Sequence, residues 1–298
     1  MRESQLFPYD ERRVTRPTGT WTDHLRRGWR GALGRFTTLD RLAHRGYFHW
    51  QRLRHGVEVT PDLATYFRVE SRWAKPEPVP VRVRPLGGAT VWLRPNTTDA
   101  EMLRDTFRDS VHPPPPEIAK RGVRWIVDLG ANAGVTVAHN ALLFPTARIV
   151  AVELDPGNAD AARRNTAPWA DRVEIIQGAV WYEDGEVPYD ADTGDEYGFR
   201  AGAGTATTRA LSMDTILGHV PANERVDYVK MDIEGVEARL LSPEESGWIA
   251  RVDSISLQVH DPYSLSDCAA DLTRLGFAAR VDPRRMNYIV GVRQEQSS

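Results

Sequence analysis

From residue 124 onward the chain changes rhythm every ten residues or so. "RWIVDLG" (124–130) and "ARIVAVE" (147–153) are short apolar runs bounded by charge or glycine, the pattern of buried strands. Between them "GVTVAHNALLF" sets Val135, Ala138 and Leu142 on one helical face, which completes a βαβ unit. "LDPGNADAARRNT" predicts a helix with Asp155 as N-cap and Pro156 at its first position. The alternation continues through strand "RVEIIQ", a polar excursion rich in Gly and Asp, helix "SMDTILGHV", strand "VDYVKMD", helix "EGVEARLL", strand "SISLQVH" and helix "SLSDCAADLTRLG". Strands "FAARV" and "NYIVGV" close the chain around a turn at Asp282-Pro283. Such alternation predicts an α/β fold: a mostly parallel sheet with helices on both faces and an antiparallel edge strand.

Upstream, "VPVRVRPLGGATVWLRP" alternates apolar and polar residues on both sides of Leu86-Gly87-Gly88, a hairpin signal, and "NTTDAEMLRDTF" predicts a capped helix. Proline clusters at 75–80 and 112–120 bracket this unit. The expected domains are therefore 1–75, an extension of short helices broken by Gly28, Gly31, Gly34 and Gly46; 76–116, the hairpin and helix; and 117–298, the alternating core.

Composition adds bounds. With 298 residues, 41% hydrophobic and 27% charged, the chain is long enough for one large core. A net charge of −3 argues against a nucleic-acid or membrane-surface protein as a whole, and a single cysteine, Cys268, excludes an intrachain disulfide framework. With no leader-like or membrane-spanning apolar run, a cytoplasmic location is expected. Charge is uneven, however. Residues 1–60 hold twelve Arg, no Lys and six acidic residues, so they are basic while the remainder is acidic. Such a segment suits a lid, an acceptor-binding surface or the arm of a homo-oligomer; a nucleic-acid surface is the weaker alternative.

In a parallel sheet of this type, ligands bind beyond the carboxyl ends of the strands. "DLGANAG" ends the first strand with Asp128, Gly130, Asn132 and Gly134, and Glu153, followed by Leu154, ends the second. Glycines there let the backbone approach a ligand, and an acid at the next strand end accepts hydrogen bonds from ribose hydroxyls. The G-x-N-x-G order departs from the dinucleotide fingerprint G-x-G-x-x-G. A compact turn with a preceding acid suits an amino-acid moiety, and amino acid plus ribose plus adenine describes S-adenosylmethionine. Lys230, Asp232 and Glu234 in "VKMDIEGVE" and His260 in "LQVH" bring charge to two further strand ends.

"IVDLGANAGVTV", "VAVELDPGNADAARRN", "GAV", "SMDTIL" and "VDYVKMDIEGVE" resemble, in order and spacing, the FkbM family of class I S-adenosylmethionine-dependent methyltransferases, over roughly residues 80 to 293. The resemblance implies a Rossmann-like fold and methyl transfer to a hydroxyl of a small molecule, often a sugar or secondary metabolite. It implies that Asp128, Gly130, Asn132, Gly134, Thr136, Glu153, Leu154, Ala179 and Val180 contact the cofactor, with Arg94 and Asp99 closing the pocket. Ala179 and Val180 are expected to end the third strand. Asp232, Glu234, Lys230 and His260 are the catalytic candidates, and His260 is the group best suited to take a proton near pH 7. Oxygens here could also hold a divalent ion, but nothing in the spacing compels a metal. Two rivals are a non-catalytic S-adenosylmethionine-binding module and a nucleotide-cofactor oxidoreductase.

Overall fold

The computed structural model describes residue 54 and residues 56–69, 77–109, 112–190, 201–202, 204–283 and 287–294. The short basic helices expected in the first 53 residues lie outside the described residues. Contacts divide the chain into Met1–Glu58 and Val59–Ser298, and the second unit holds every element named below.

Its centre is a seven-stranded sheet. Strands β3 (Trp125–Leu129), β4 (Arg148–Glu153), β5 (Val173–Gln177), β9 (Tyr228–Met231) and β10 (Ser254–Gln258) run parallel in the spatial order β10-β9-β3-β4-β5. Strand β12 (Tyr288–Arg293) pairs antiparallel with β10, and β11 (Phe277–Val281) pairs antiparallel with β12 at the edge. The last two strands thus form the antiparallel addition expected at one edge, with β12 inside and β11 at the border. Burial explains the order: Tyr288 to Gly291 are all buried, whereas β11 is largely solvent-facing after Phe277. An apolar strand needs a neighbour on each side, and the more polar one can be the border.

A separate three-stranded sheet, order β6-β8-β7, combines β6 (Ala179–Val180), β7 (Gly185–Tyr189) and β8 (Ala206–Leu211). Ala179 and Val180 thus belong to a strand of their own beyond Gly178, not to the end of β5. The last two strands of this sheet fall in the region expected as a polar excursion. "GEVPY" and "ATTRAL" each bury only alternate residues over much of their length, so polar side chains dilute the apolar signal.

Alternation sorts the central strands. Val127, Leu129, Val229, Met231, Ile255 and Leu257 share one apolar cluster with Ile216, Leu240 and Leu272 from the helices of that side. Ile126 and Tyr228 face the other way, with Val137 and Ala141 of the helix Val135–Leu143. Helices therefore cover both faces.

The hairpin forms as expected from β1 (Val79–Arg82) and β2 (Thr90–Leu93), with a single 3₁₀ turn and Gly87 in the left-handed conformation between them. Its buried valines pack with Tyr66 and Val69 of α1 (Leu63–Val69), Leu103 of α2 (Asp99–Asp109), and Val135 and Ala138. Residues 59–69, expected within the extension, share this core. Asn165 joins the hairpin to the sheet: its Oδ1 accepts from Trp92 N at 2.7 Å and its Nδ2 donates to Ala133 O at 2.9 Å. Ala133 lies in the glycine loop, so the hairpin is tied to that loop through Asn165. Among the described residues no helix is long and apolar enough to cross a membrane.

His139, mid-helix against Phe107, is buried, and that burial lowers its pKa to about 4. It is neutral when folded but takes a proton below about 6.5 when unfolded. Its contribution is thus complete above that pH and is lost as pH falls toward 4. The linkage amounts to about 3 kcal/mol across the window. In urea melts between pH 7.5 and 4.5, His139→Gln is expected to lose stability less steeply with acid than the wild type.

Candidate active site

The site starts from a problem inside the sheet. Asp128 and Lys230 are paired in register on β3 and β9, both fully or nearly fully buried, and both on the face that carries Ile126 and Tyr228. A charge buried at such a place requires a partner. Lys230 Nζ lies 3.1 Å from Asp128 Oδ1 and donates to the carbonyl of Gly130, while Thr136 Oγ1 donates to Asp128 Oδ2 at 2.8 Å. Burial opposes the Lys230 charge, but Asp128 and Asp232 hold its pKa above the ordinary value. The charges in "VKMDIEGVE" therefore separate by direction: Lys230 supports the glycine loop, while Asp232 and Glu234 turn to the cleft.

That loop is held from three sides. Gly130, with φ of 84°, lies so close to β9 that an added Cβ would stand 1.9 Å from the Asp232 carbonyl oxygen. Gly134, with φ of 79°, abuts Ala162 of the helix Pro156–Thr166, where a Cβ would meet Ala162 Cα at 2.8 Å. Glu153 Oε2 accepts from Asn132 N at 2.7 Å and Oε1 from Asp155 N at 2.9 Å. Asn132 itself has φ of 49°. Burial pushes the Glu153 carboxyl up, against those backbone hydrogen bonds. Asp155 caps the next helix through Asn158 N at 2.7 Å, as its position after Leu154 predicts.

A cleft of about 900 Å³, part of it open solvent, runs along these strand ends. Gly130, Asn132, Thr136, Glu153, Leu154, Ala179, Val180, Lys230, Asp232 and Glu234 all line it. Asp128 and Gly134 act from behind the wall. Arg94 and Asp99 do not line the cleft. Asp99 is almost fully buried and accepts from Arg94 Nη2 at 2.6 Å and Nε at 3.0 Å, and Arg94 Nη2 also donates to Asn158 Oδ1 at 2.8 Å. Arg94 meets the cleft lining at Asn158, while its charge is met by Asp99. Gln177, at the strand end where an acid is common, donates to Leu154 O and Thr208 Oγ1 and so ties β5 to the small sheet.

Met102, Thr106, His112, Asn158, Ala201 and Ile233 also line the cleft, and sequence reading missed them. Met102 and Thr106, four residues apart, share a face of α2, but that spacing is equally a packing face. Ala201 belongs to the polar excursion after "RVEIIQ", of which residues 191–200 and 203 lie outside the described residues.

Beside Asp232 and Glu234 of the cleft lining lie His260 and Glu237, which stand behind it and do not line it. His260 Nδ1 lies 2.6 Å from Glu237 Oε1, and its Nε2 is 3.4 Å from Glu234 Oε1 and 3.7 Å from Asp232 Oδ1. Tyr288 donates to Asp232 Oδ2 at 3.2 Å. Glu234 adopts φ of 57°, a left-handed conformation that costs a non-glycine residue about 1–2 kcal/mol. Burial works against a charged imidazole at His260, but the Glu234 and Glu237 carboxylates facing its two ring nitrogens push the pKa up to about 10. The expectation of a histidine tuned near pH 7 is thus corrected. Three carboxylates surround it, and they favour its protonated form.

Residues 128–277 match the sequence profile of the methyltransferase FkbM domain. Over 158 residues, 46% of this chain, the sequence is 30% identical to the O-methyltransferase imqG of Aspergillus flavus, and the match spans 62% of that protein's length. Among solved structures, the METTL16 MTase domain superposes with a TM-score of 0.38 at 16% identity, covering 59% of this chain and 62% of that one. The O-methyltransferase TomG from Streptomyces achromogenes, involved in tomaymycin synthesis and solved with SAM, gives 0.37 at 16% identity, covering 62% and 79%.

Breaking the buried pair should be costly because it strands a charge. Lys230→Met is expected to lose about 3–5 kcal/mol in chemical denaturation, and the double change Asp128→Leu with Lys230→Met should recover part of that loss. A loss in the double variant equal to the sum of the losses in Lys230→Met and Asp128→Leu alone would show that the two groups are not coupled.

Proposed function

The chain belongs to the FkbM methyltransferase family, and we propose that the protein is an S-adenosylmethionine-dependent O-methyltransferase acting on a hydroxyl of a small molecule, such as a sugar or a secondary metabolite. One observation carries the reading: the glycine loop, Glu153 and the Asp232-Glu234 carboxylates converge on a single cleft at the carboxyl edge of the parallel sheet. The likeness to the Aspergillus O-methyltransferase supports oxygen as the acceptor atom.

The cleft suits the cofactor by the chemistry of its lining, which sets apolar surface beside a few convergent polar groups. Glu153 Oε2 accepts from Asn132 of the loop and Oε1 from Asp155 N and Asn158 Nδ2, which leaves acceptor capacity for a ribose hydroxyl because a carboxylate offers about four positions. The loop and the start of the helix Val135–Leu143 direct backbone N–H groups to the methionine carboxylate. Gly178, Ala179 and Val180 offer backbone and apolar surface to adenine.

When bound, S-adenosylmethionine supplies a methyl group activated by its sulfonium. The residues of this chain do the rest. Asp232 and Glu234 orient the acceptor hydroxyl and accept its proton at a carboxylate oxygen, which an unassisted alcohol needs. Holding the acceptor in line converts an encounter of two molecules into a local event and supplies a large part of the rate. His260 lies between the two carboxylates, and Glu237 keeps its ring in place. Lys230 acts as a positioning residue through Asp128 and the loop.

In calorimetric titration Glu153→Ala is expected to weaken S-adenosylmethionine binding by tenfold or more, at the scale of one or two lost charge-assisted hydrogen bonds of about 1.5–3 kcal/mol each. Binding unchanged by this substitution would remove the ribose assignment. Methyl transfer from labelled S-adenosylmethionine to hydroxylated sugars and metabolites tests the activity, with Asp232→Asn expected to lower turnover more than cofactor affinity. Tight binding with no transfer across a broad panel would favour a non-catalytic binding module.

A further inference from the structure

We propose that Asp232, Glu234 and His260 form a binding site for a divalent metal ion, with Glu237 orienting the imidazole from behind. The site is read from geometry; its role in catalysis rests on the methyl-transfer reading above.

One ligand atom from each of the three residues can be chosen such that all lie within 4.8 Å of one another. The measured separations, 3.4 Å and 3.7 Å from His260 Nε2 to the two carboxylate oxygens, are close to the spacing of neighbouring ligands around an ion whose bonds are about 2.0–2.3 Å long. They are also too long for good hydrogen bonds.

A second observation concerns the burial of the histidine. The His260 side chain is 9% exposed, and its Nε2 is a buried atom with no hydrogen-bond partner, aimed at the two carboxylates. Its other nitrogen is committed: Nδ1 lies 2.6 Å from Glu237 Oε1, and the Glu237 side chain has no exposure at all. A buried carboxylate on one imidazole nitrogen is the arrangement that holds a metal-binding histidine in a fixed tautomer, with its other nitrogen free to coordinate. An orphaned buried nitrogen is otherwise costly.

The surroundings agree. Lys230 is engaged by Asp128 and the Gly130 carbonyl. Tyr288 holds Asp232 Oδ2 and leaves Oδ1 directed at His260. Asp232 and Glu234 stay part-exposed, at 25% and 19%, so an ion between them keeps an open side toward the cleft. One imidazole and two carboxylates suit borderline-to-hard ions such as Mn²⁺, Mg²⁺, Fe²⁺ or Zn²⁺ and do not suit Cu(I). On its open side the ion would bind the acceptor hydroxyl and lower its pKa, so that the proton leaves to an adjacent carboxylate or to solvent and the oxygen is presented to the methyl group.

The test is titration of the chelator-treated protein with Mn²⁺, reading free Mn²⁺ by electron paramagnetic resonance, beside calorimetry with S-adenosylmethionine on the same sample. The expected result is one Mn²⁺ per chain. Affinity should drop at least tenfold in His260→Ala and in Glu234→Gln, and about 10–100-fold in Glu237→Gln, the loss typical of a group that orients a ligand. Glu153→Ala should leave Mn²⁺ binding intact while weakening the cofactor. Wild-type protein that binds S-adenosylmethionine but not Mn²⁺ overturns the metal site and leaves the methyltransferase reading standing. Mn²⁺ binding that survives both His260→Ala and Glu234→Gln also overturns it. Mn²⁺ binding without cofactor binding upholds the site and removes its catalytic role. Should His260→Ala fail to fold, Glu234→Gln, a part-exposed position, decides the question.

Discussion

A lysine and an aspartate buried side by side in a parallel sheet govern the rest of this molecule. Asp128 and Lys230 sit on neighbouring strands where neither charge has access to water, so each is tolerated only because of the other. Two hydrophobic residues of similar volume could be equally or more stable there. What such a pair would lack is direction. The ammonium reaches past Asp128 to the Gly130 carbonyl, and Asp128 reaches Thr136 at the start of the next helix. The pair thus converts strand register into the position of a ligand loop.

Other contacts then over-determine that loop. Gly130 lies against the Asp232 carbonyl, so the loop after β3 and the strand end carrying the carboxylates cannot move apart or together independently. Glu153 takes the Asn132 N–H and Asn165 takes the Ala133 carbonyl. Two strand ends, a helix and the hairpin therefore converge on five residues of backbone. Preorganisation of this kind reduces what ligand binding must spend on ordering the site.

The acidic end of the cleft obeys a different constraint. Asp232, Glu234 and Glu237 surround one imidazole, and like charges at such short range require a positive centre. A proton on His260 or a divalent ion between the groups meets that need. Each has the same electrostatic consequence: a positive centre shared by the three carboxylates beside the cleft. The left-handed backbone at Glu234 directs its carboxylate toward this centre, at a conformational cost that packing elsewhere offsets.

Local pattern alone determined the βαβ order, the Asp155 cap, the hairpin and the strand ends on which Gly130, Glu153, Asp232 and His260 lie, because apolar periodicity and turn chemistry are short-range properties written residue by residue. It did not determine direction. Whether Lys230 turned to Glu234 or to Asp128 depended on which strand became the neighbour of β9, a contact across about a hundred residues. Arg94 and Asp99 read as pocket residues until folding set them against each other. The proton affinity of His260 could not be read from "LQVH" because it is set by Glu234 and Glu237, brought to its two faces by a different strand end. Tertiary structure decided each of these, since charge–charge and burial energies depend on distances in space that sequence separation does not encode.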